Sequence, residues 1–386
     1  MTTKSAAPAS ANEYKPGLEG VVAAETRLSR VDGQRGELII AGFPLEELAG
    51  NAVFEEVVYL LWHDALPTPA QLKAFCAELA AQRQIPAATL DLLAAAAQTG
   101  RSVMDALRMA AGTLDLDGAQ TDDPAVQAQR ILARLPTIVA AYWRLLHDQA
   151  PIGPDPTLSH AANYLYMLTH ETPTDAQTRG LETYLNTVID HGLNASTFAA
   201  RVIIATETDL VSAIVGALGA LKGPRHGGAP GPALDMVFEI GAAERAEAYL
   251  RAKLDRGERL MGFGHRIYKV RDPRAAVLAQ AAEQMFGAGN DRTLYDLAKS
   301  VEQTAIALLD EYKPGRNLRT NVEFYTALLL HGLDLDAALF TPTFAISRAA
   351  GWLAHCFEQQ AAGRIIRPQA QYVGATGRTW APLSAR

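Results

Sequence analysis

The sequence predicts an almost all-α protein with one small β-hairpin near its N-terminus. Three observations carry this. Apolar residues recur at helical spacing from Pro44 onward, capping and stop residues punctuate those runs, and alternating β-branched runs are scarce after the hairpin. The 386 residues suffice for a large core and two domains or lobes. A hydrophobic content of 49% with 20% charged residues fits a packed globule rather than a disordered chain.

The opening stretch "MTTKSAAPASANEY" has no apolar core of a signal peptide, and residues 1–13 read as a short disordered lead-in. In "ETRLSRVDGQRGELIIAGFPLEELA", Asp32-Gly33 and Arg35-Gly36 mark a turn and "ELIIAG" the return strand. "FPLEELAGNAVFEEVVYLLWHDALP" then reads as one helical run, with Val53, Val57, Leu60 and Leu61 on one face and a stop before Pro67. "TPAQLKAFCAELAAQR" opens with a threonine cap and proline at the first helical position. "AVQAQRILARLPTIVAAYWRLLHDQ" is expected to be kinked or broken at Pro136. The helical pattern continues through "DPTLSHAANYLYMLT" and the two runs that follow. No internal repeat or low-complexity linker interrupts it. Glycines cluster at "GALGALKGPRHGGAPGPA", "MGFGH" and "KPG", between helices, where they can form the walls and hinges of a cleft.

Lys and Arg total 35 against 42 Asp and Glu, a net charge of −7, which argues against general nucleic-acid binding. Two cysteines, Cys76 and Cys356, cannot form a disulfide framework or a multi-thiolate metal site and are expected as small buried residues. No stretch approaches the roughly 20 apolar residues of a membrane helix, and a cytoplasmic location is expected. The "NAS" sequon at Asn194 has no meaning without secretion.

Three bends carry polar residues that chemistry can use. In "ALKGPRHGGAP" a very apolar helix, roughly Asp209 to Leu221, stops at Lys222-Gly223-Pro224, and His226 follows at its mouth. The imidazole can meet a ligand there, or it is an ordinary loop histidine. In "MGFGHRIYKVRDPRA", Gly262 and Gly264 free backbone N–H groups beside His265, and Arg266, Lys269, Arg271 and Arg274 follow within ten positions. Arg274 comes directly after a helix-starting proline, a fixed place from which a guanidinium can grip a carboxylate; the plainer reading is a solvated basic helix face. In "LRTNVEFYTALLLHGL", Asn321 reads as an N-cap and Glu323 lies in the first turn, where the helix dipole favours a carboxylate and a semi-apolar cleft would raise its proton affinity again. First-turn acids are common, so that position alone does not make a base. The wide spacing of His226, His265 and Glu323, with no H-x-x-x-H pair, argues against a metal site, and neither a G-x-S-x-G elbow nor a Walker-type loop is present.

Together these segments resemble the citrate synthase family in its shorter bacterial form. The likeness runs from "GLEGVVAAETRLSRVDGQRGELIIAGFPLEELA" through "DHGLNASTFAARV", "GALKGPRHGGAP", "MGFGHRIYKVRDPRA" and "NVEFYTALLL" to "FTPTFAISRAAGWLAHCFEQ" and "RIIRPQAQYVG". The resemblance implies a two-domain helical homodimer. A large domain would span residues 14–226 and 338–386, and a small domain, residues 227–337, would close over the substrates. It implies condensation of acetyl-CoA with oxaloacetate and hydrolysis of citryl-CoA, with no metal and no cofactor beyond the acyl-CoA substrate. By the same resemblance His226 would hydrogen-bond the thioester carbonyl, Glu323 would take the methyl proton, and His265 would polarise and protonate the ketone. His191, Arg274 and Arg348 match oxaloacetate ligands, and Arg367 matches one supplied by the neighbouring subunit. Met261, Gly262, Phe263, Gly264 and Asn321 resemble the acyl-CoA contact region, with Lys269 in the place of a basic CoA contact.

Some positions depart from the common family pattern. Glu323 stands where aspartate is commonest, "LRT" where many relatives have "LYP", and Gly192 where glutamate is usual. Besides citrate synthase, three readings remain: a 2-methylcitrate synthase using propionyl-CoA, a weakly catalytic paralogue that binds CoA or oxaloacetate as a sensor, and a metal-dependent hydrolase. A sensor would not need all three acid–base positions filled, and all three are filled.

Overall fold

The computed structural model describes residues 14–116, 123–227, 230–265, 267–268, 270–287 and 292–386. The lead-in expected at residues 1–13 lies outside the described residues, as do Arg266 and Lys269.

The hairpin forms where the turn residues predict it. Strand β1 (Ser29–Asp32) pairs antiparallel with β2 (Glu37–Ile40), Ser29 opposite Ile40 and Asp32 opposite Glu37. The Asp32 carboxylate accepts from the backbone N–H groups of Gln34 (3.0 Å) and Arg35 (2.9 Å), which closes the turn. A third strand, β3 (Phe43–Pro44), adds to β2 through a reversal at Ala41 and Gly42, both at positive φ. Two residues carry no readable period, so the sequence did not announce this strand.

Helices make up most of the rest. They are α1 (Leu45–Ala49), α2 (Phe54–His63), α3 (Pro69–Ala81), α4 (Ala87–Ala97), α5 (Val103–Ala111), α6 (Pro124–Leu146), α7 (His160–Thr169) and α8 (Asp175–Val188). They continue as α9 (Ala195–Ile204), α10 (Leu210–Leu221), α11 (Pro230–Ile240), α12 (Ala246–Asp255), α13 (Pro273–Gly287), α14 (Thr293–Tyr312), α15 (Val322–Gly332) and α16 (Phe340–Ala362). The run expected as one helix after Pro44 is two. The chain turns at Gly50 and Asn51, and α2 restarts with the Glu56 carboxylate accepting from the Val53 N–H at 2.8 Å. Of the kink or break expected at Pro136, the break does not occur: helix α6 runs on through it. A mid-helix proline costs about 3 kcal/mol, and burial of Leu135, Pro136, Ile138 and Val139 on both sides of it supplies the packing that offsets the loss. The expected caps form, Thr68 with Gln71 on α3 and Asn321 on α15, and Asp209 caps α10 as well.

Helix α16 is the axis of the core. It packs against α2, α6, α8, α9 and α10, and its buried face includes Arg348, Trp352, His355 and Cys356. Helices α11 to α15 pack chiefly on one another, and α13 and α15 carry that group onto α8, with α13 also touching α1. Among the described residues no helix is long and apolar enough to cross a membrane.

The hairpin turn is wedged against the segment that follows His265. A Cβ on Gly33 would lie 2.3 Å from the Ile267 carbonyl oxygen, and one on Gly36 would lie 2.7 Å from a Val270 methyl. Gly33→Ala is therefore expected to lose about 1–3 kcal/mol of stability. Gly50→Ala, at a site with no neighbour within 4 Å, should stay within ~0.5 kcal/mol of the parent. Urea unfolding of the two variants side by side checks this.

Candidate active site

Four segments meet at one cavity of about 240 Å³. The first is the loop from α8 to α9. Asp190 is buried and held from two sides: the Ser29 hydroxyl donates to Oδ2 (2.5 Å) and His355 Nε2 to Oδ1 (3.1 Å). Burial pushes its carboxyl up, and His355, Arg348 and Ser29 outweigh that, leaving it below the usual range. The next residue, His191, is thereby set at the cavity, with Nε2 3.1 Å from the Tyr268 hydroxyl. Burial, then the neighbouring Arg274 and Arg348 charges, keep the His191 imidazole neutral. Gly192 turns the chain at φ 60°, and Asn194 caps α9, its Oδ1 accepting from the Thr197 N–H at 3.1 Å.

The second segment follows α10. The backbone N–H of His226 donates to the Gly223 carbonyl at 2.9 Å, which curls the ring back toward α9. His226 Nε2 sits 2.8 Å from Ser196 Oγ. Burial, and after it the Arg348 charge, lower the imidazole pKa to about 4, so the ring is neutral at physiological pH.

The third and fourth segments are stitched together. Phe263 bridges Thr320 antiparallel, Gly264 N–H donates to the Arg319 carbonyl (2.7 Å), and Asn321 N–H donates to the Gly262 carbonyl (3.0 Å). Gly262 and Gly264 take φ of 84° and 83°, a region that suits glycine, and a Cβ on Gly262 would press to 2.9 Å from Phe324. The Asn321 amide is used at both ends, Oδ1 accepting from Glu323 N–H (3.0 Å) and Nδ2 donating to the Gly264 carbonyl (2.9 Å). His265 and Glu323, far apart in sequence, are so brought onto one wall. His265 Nδ1 accepts from the backbone N–H groups of Ile267 and Tyr268, both at 3.1 Å. Arg274 Nη2 lies 3.3 Å from that Nε2. The guanidinium and the far ring nitrogen thus meet at one point of the cavity wall.

Arg274 itself is gripped by Asp272, with Nε to Oδ1 at 3.0 Å and Nη2 to Oδ2 at 2.8 Å. Burial opposes the guanidinium charge and the Asp272 carboxylate more than restores it. Arg348 is held by its Nε on the Val188 carbonyl (2.7 Å) and lies 4.5 Å over the Phe344 ring. Burial lowers its pKa to about 10, against the pull of Asp190, so it too remains a cation at neutral pH. Burial raises the Glu323 pKa, Asp272 adds to the rise, and Arg274 opposes it. Around these groups Val188, Val322, Phe340 and Phe344 form an apolar wall. The arrangement offers one carboxylate with raised proton affinity, three imidazoles and two guanidinium groups. It can bind a small polyanion and move a proton nearby.

Of the site residues expected from sequence, His191, His226, His265, Arg274, Glu323 and Arg348 line this cavity. Met261, Gly262, Phe263, Gly264 and Asn321 lie behind it, in the stitched segments, and are not among its lining residues. Arg367 is exposed on the stretch after α16 and is not among the residues that line the cavity of its own chain. Arg271 turns away and pairs with Glu302 at 3.3 Å. Among the described residues no group of three or more His, Cys, Asp and Glu is placed to hold a metal ion. The sequence reading missed Ser196, Tyr268, Asp272 and Trp352. Asp272, beside Pro273 in the "DPR" step, was the one with a local signal.

A family model described as "Citrate synthase, C-terminal domain" matches residues 17–369. The citrate synthase of Haloferax volcanii is 40% identical over 97% of this chain and 99% of its own length. The 2-methylcitrate synthase of Mycobacterium tuberculosis is 38% identical over 94% of this chain and 91% of its own. The structure of Thermoplasma acidophilum citrate synthase in ternary complex with carboxymethyl coenzyme A and oxaloacetate superposes with a TM-score of 0.86 at 28% identity, covering 97% of this chain and 100% of that one.

The raised Glu323 pKa has a consequence for stability. A carboxyl whose folded pKa exceeds its unfolded value costs nothing when both states are protonated, and destabilises the fold as pH rises through the folded value. Glu323→Gln is therefore expected to be more stable than the parent at pH 7. The gap should close as pH falls to the unfolded carboxyl value of about 4.3. Denaturant midpoints measured from pH 7 down to pH 4 check the sign.

Proposed function

The chain belongs to the citrate synthase family, and on that premise we propose that it condenses acetyl-CoA with oxaloacetate and hydrolyses the resulting citryl-CoA to citrate and CoA. The observation that carries this is the single cavity holding Glu323 with raised proton affinity, neutral His226, His265 with its Nε2 beside Arg274, and Arg348.

A methyl group beside a thioester is a weak acid. Its removal needs a base on one side and a hydrogen-bond donor to the carbonyl oxygen on the other. Glu323 is the base, its proton affinity raised by burial and part of its charge kept by Arg274. His226 supplies the donor as a neutral imidazole, whose pKa of about 4 suits an enol rather than a full enolate. His265 Nε2–H and Arg274 Nη2 take the ketone oxygen of oxaloacetate between them, and His265 gives it a proton as the enol carbon attacks. His191, Arg274 and Arg348 hold the two carboxylates. Water then cleaves the thioester of citryl-CoA. No cofactor beyond the acyl-CoA substrate enters.

Residues 227–337 act as the small domain, closing on a large domain of residues 14–226 and 338–386, and closure excludes water and strengthens each of these contacts. Met261 to Gly264, Lys269 and Asn321 form the acyl-CoA contact region. Two chains associate, and Arg367, exposed on its own subunit, completes the oxaloacetate site of the other. The enzyme works in the cytoplasm.

Release of CoA thiol, followed with a thiol-reactive dye in the presence of oxaloacetate, tests the reaction. Faster turnover per unit concentration with acetyl-CoA than with propionyl-CoA is expected. One methylene is worth only about 1–3 kcal/mol in an apolar pocket, so some propionyl-CoA turnover is compatible. A propionyl preference assigns 2-methylcitrate synthase instead, and no release with either leaves a binding paralogue. In the same assay Glu323→Gln is expected to lower kcat about 10²- to 10⁴-fold with oxaloacetate affinity nearly unchanged. Arg367→Ala is expected to weaken oxaloacetate binding by about 1.5–3 kcal/mol, the scale of a hydrogen bond to a charged group, in a titration calorimeter.

A further inference from the structure

We propose that Tyr184 is a substrate-binding residue, whose hydroxyl donates a hydrogen bond to the oxaloacetate carboxylate that Arg348 grips. The identity of the dicarboxylate rests on the citrate synthase reading. The need for an anionic acceptor at this hydroxyl rests on the structure of the cavity alone.

Helix α8 brings a row of residues to the cavity. Tyr184 and Val188 lie one turn apart on the same face, and His191 follows just beyond the helix end; all three line the cavity. The Val188 carbonyl in this row accepts from Arg348 Nε at 2.7 Å, which fastens the guanidinium beside the Tyr184 turn. That bond uses Nε and leaves the other edge of the fork for a carboxylate.

Tyr184 is 0% exposed, and its hydroxyl has no hydrogen-bond partner among the described residues. A phenol that deep usually finds one. Its surroundings show what kind is missing. Burial above all keeps the phenol protonated, raising its pKa against the pull of the Arg348 and Arg274 charges. Guanidinium groups only donate, so neither can accept from it. Tyr164 is the other phenol acting on it. Thr343 Oγ1 donates to the Leu339 carbonyl (2.7 Å), so it accepts from the Tyr164 hydroxyl at 3.0 Å. The Tyr164 proton is thus committed elsewhere, and no hydrogen bond joins the two rings.

The cavity therefore holds a fixed O–H without an acceptor beside two cations. A carboxylate placed against Arg348 satisfies the cation and the phenol together, which a neutral acceptor does not. The hydroxyl is already stripped of solvent by folding. The bond it forms on binding is therefore not offset by a further loss of hydration, which is the advantage of a preorganised donor.

Tyr184→Phe tests this. The substitution removes a buried group that has no partner, so the free protein is expected to be at least as stable as the parent in urea unfolding. Oxaloacetate binding, followed by titration calorimetry, is expected to weaken about 10- to 100-fold, the scale of a hydrogen bond to a charged group. Succinate, a dicarboxylate without the ketone, is expected to lose a similar factor. In the thiol-release assay the loss is expected in KM for oxaloacetate far more than in kcat. Unchanged dicarboxylate affinity overturns the proposal, and so does lost affinity accompanied by a less stable free protein, which marks a packing role. A second measurement needs no variant. A crystal structure of the parent with oxaloacetate is expected to place Tyr184 Oη within about 3.0 Å of a carboxylate oxygen that Arg348 also holds. A separation beyond about 3.5 Å overturns the proposal. A parent that holds the dicarboxylate in this way but condenses neither acyl-CoA loses the citrate synthase reading and keeps this one. A parent that binds neither dicarboxylate overturns it.

Discussion

The Asp272 carboxylate is the contact on which the site depends. It is 1% exposed and accepts from Arg274 N–H, Nε and Nη2, and from the backbone N–H of Val322. A charge so deeply buried is tolerated only when nearly every lone pair is used, and removing one partner of such a pair costs about 3–5 kcal/mol. The geometry is correspondingly rigid. One carboxylate starts α13, aims the guanidinium of Arg274 and anchors the first residue of α15. His265 is positioned by Arg274, and Glu323 by the helix whose first turn Asp272 holds. Its negative charge also contributes to the raised proton affinity of Glu323. Structural anchor and electrostatic tuning reside in the same two oxygens.

A second buried chain serves the opposite wall. Ser29 on the hairpin donates to Asp190, Asp190 accepts from His355, and His355 Nδ1 accepts from Arg201 at 3.0 Å. Arg201 donates to Glu358, whose other oxygen accepts from the backbone N–H of Arg27. The path leaves the hairpin, crosses α9 and α16, and returns to the residue just ahead of the hairpin. It explains why a helical protein carries a three-stranded sheet at all. The sheet is a brace: its first strand holds Asp190, and its turn glycines seat against Ile267 and Val270.

What could be read from sequence was what is encoded locally. The Asn321 cap, the proline that starts α13 before Arg274, and the stop after Leu221 that leaves His226 at a helix mouth each depend on residues a few positions apart, and each formed. The residues that escaped are defined by partners far along the chain. Ser196 matters because of His226 and Trp352, and Tyr268 because of His191. No spacing rule links such pairs. Pro136 shows the limit of a local rule: of the kink or break it predicts, the break is absent, and buried side chains flank the proline on both sides.

The central place of α16 has a consequence for how the molecule comes into being. Ribosomes deliver this helix after every helix it packs on has emerged. Until then the faces of α2, α6, α8, α9 and α10 that it covers have no lid, and Asp190 and Arg201 lack His355 and Glu358. Such long-range closure is slow, and apolar surface left waiting invites self-association. A chain cut before α16 would leave those faces uncovered, and it is expected to self-associate rather than to form a smaller working protein.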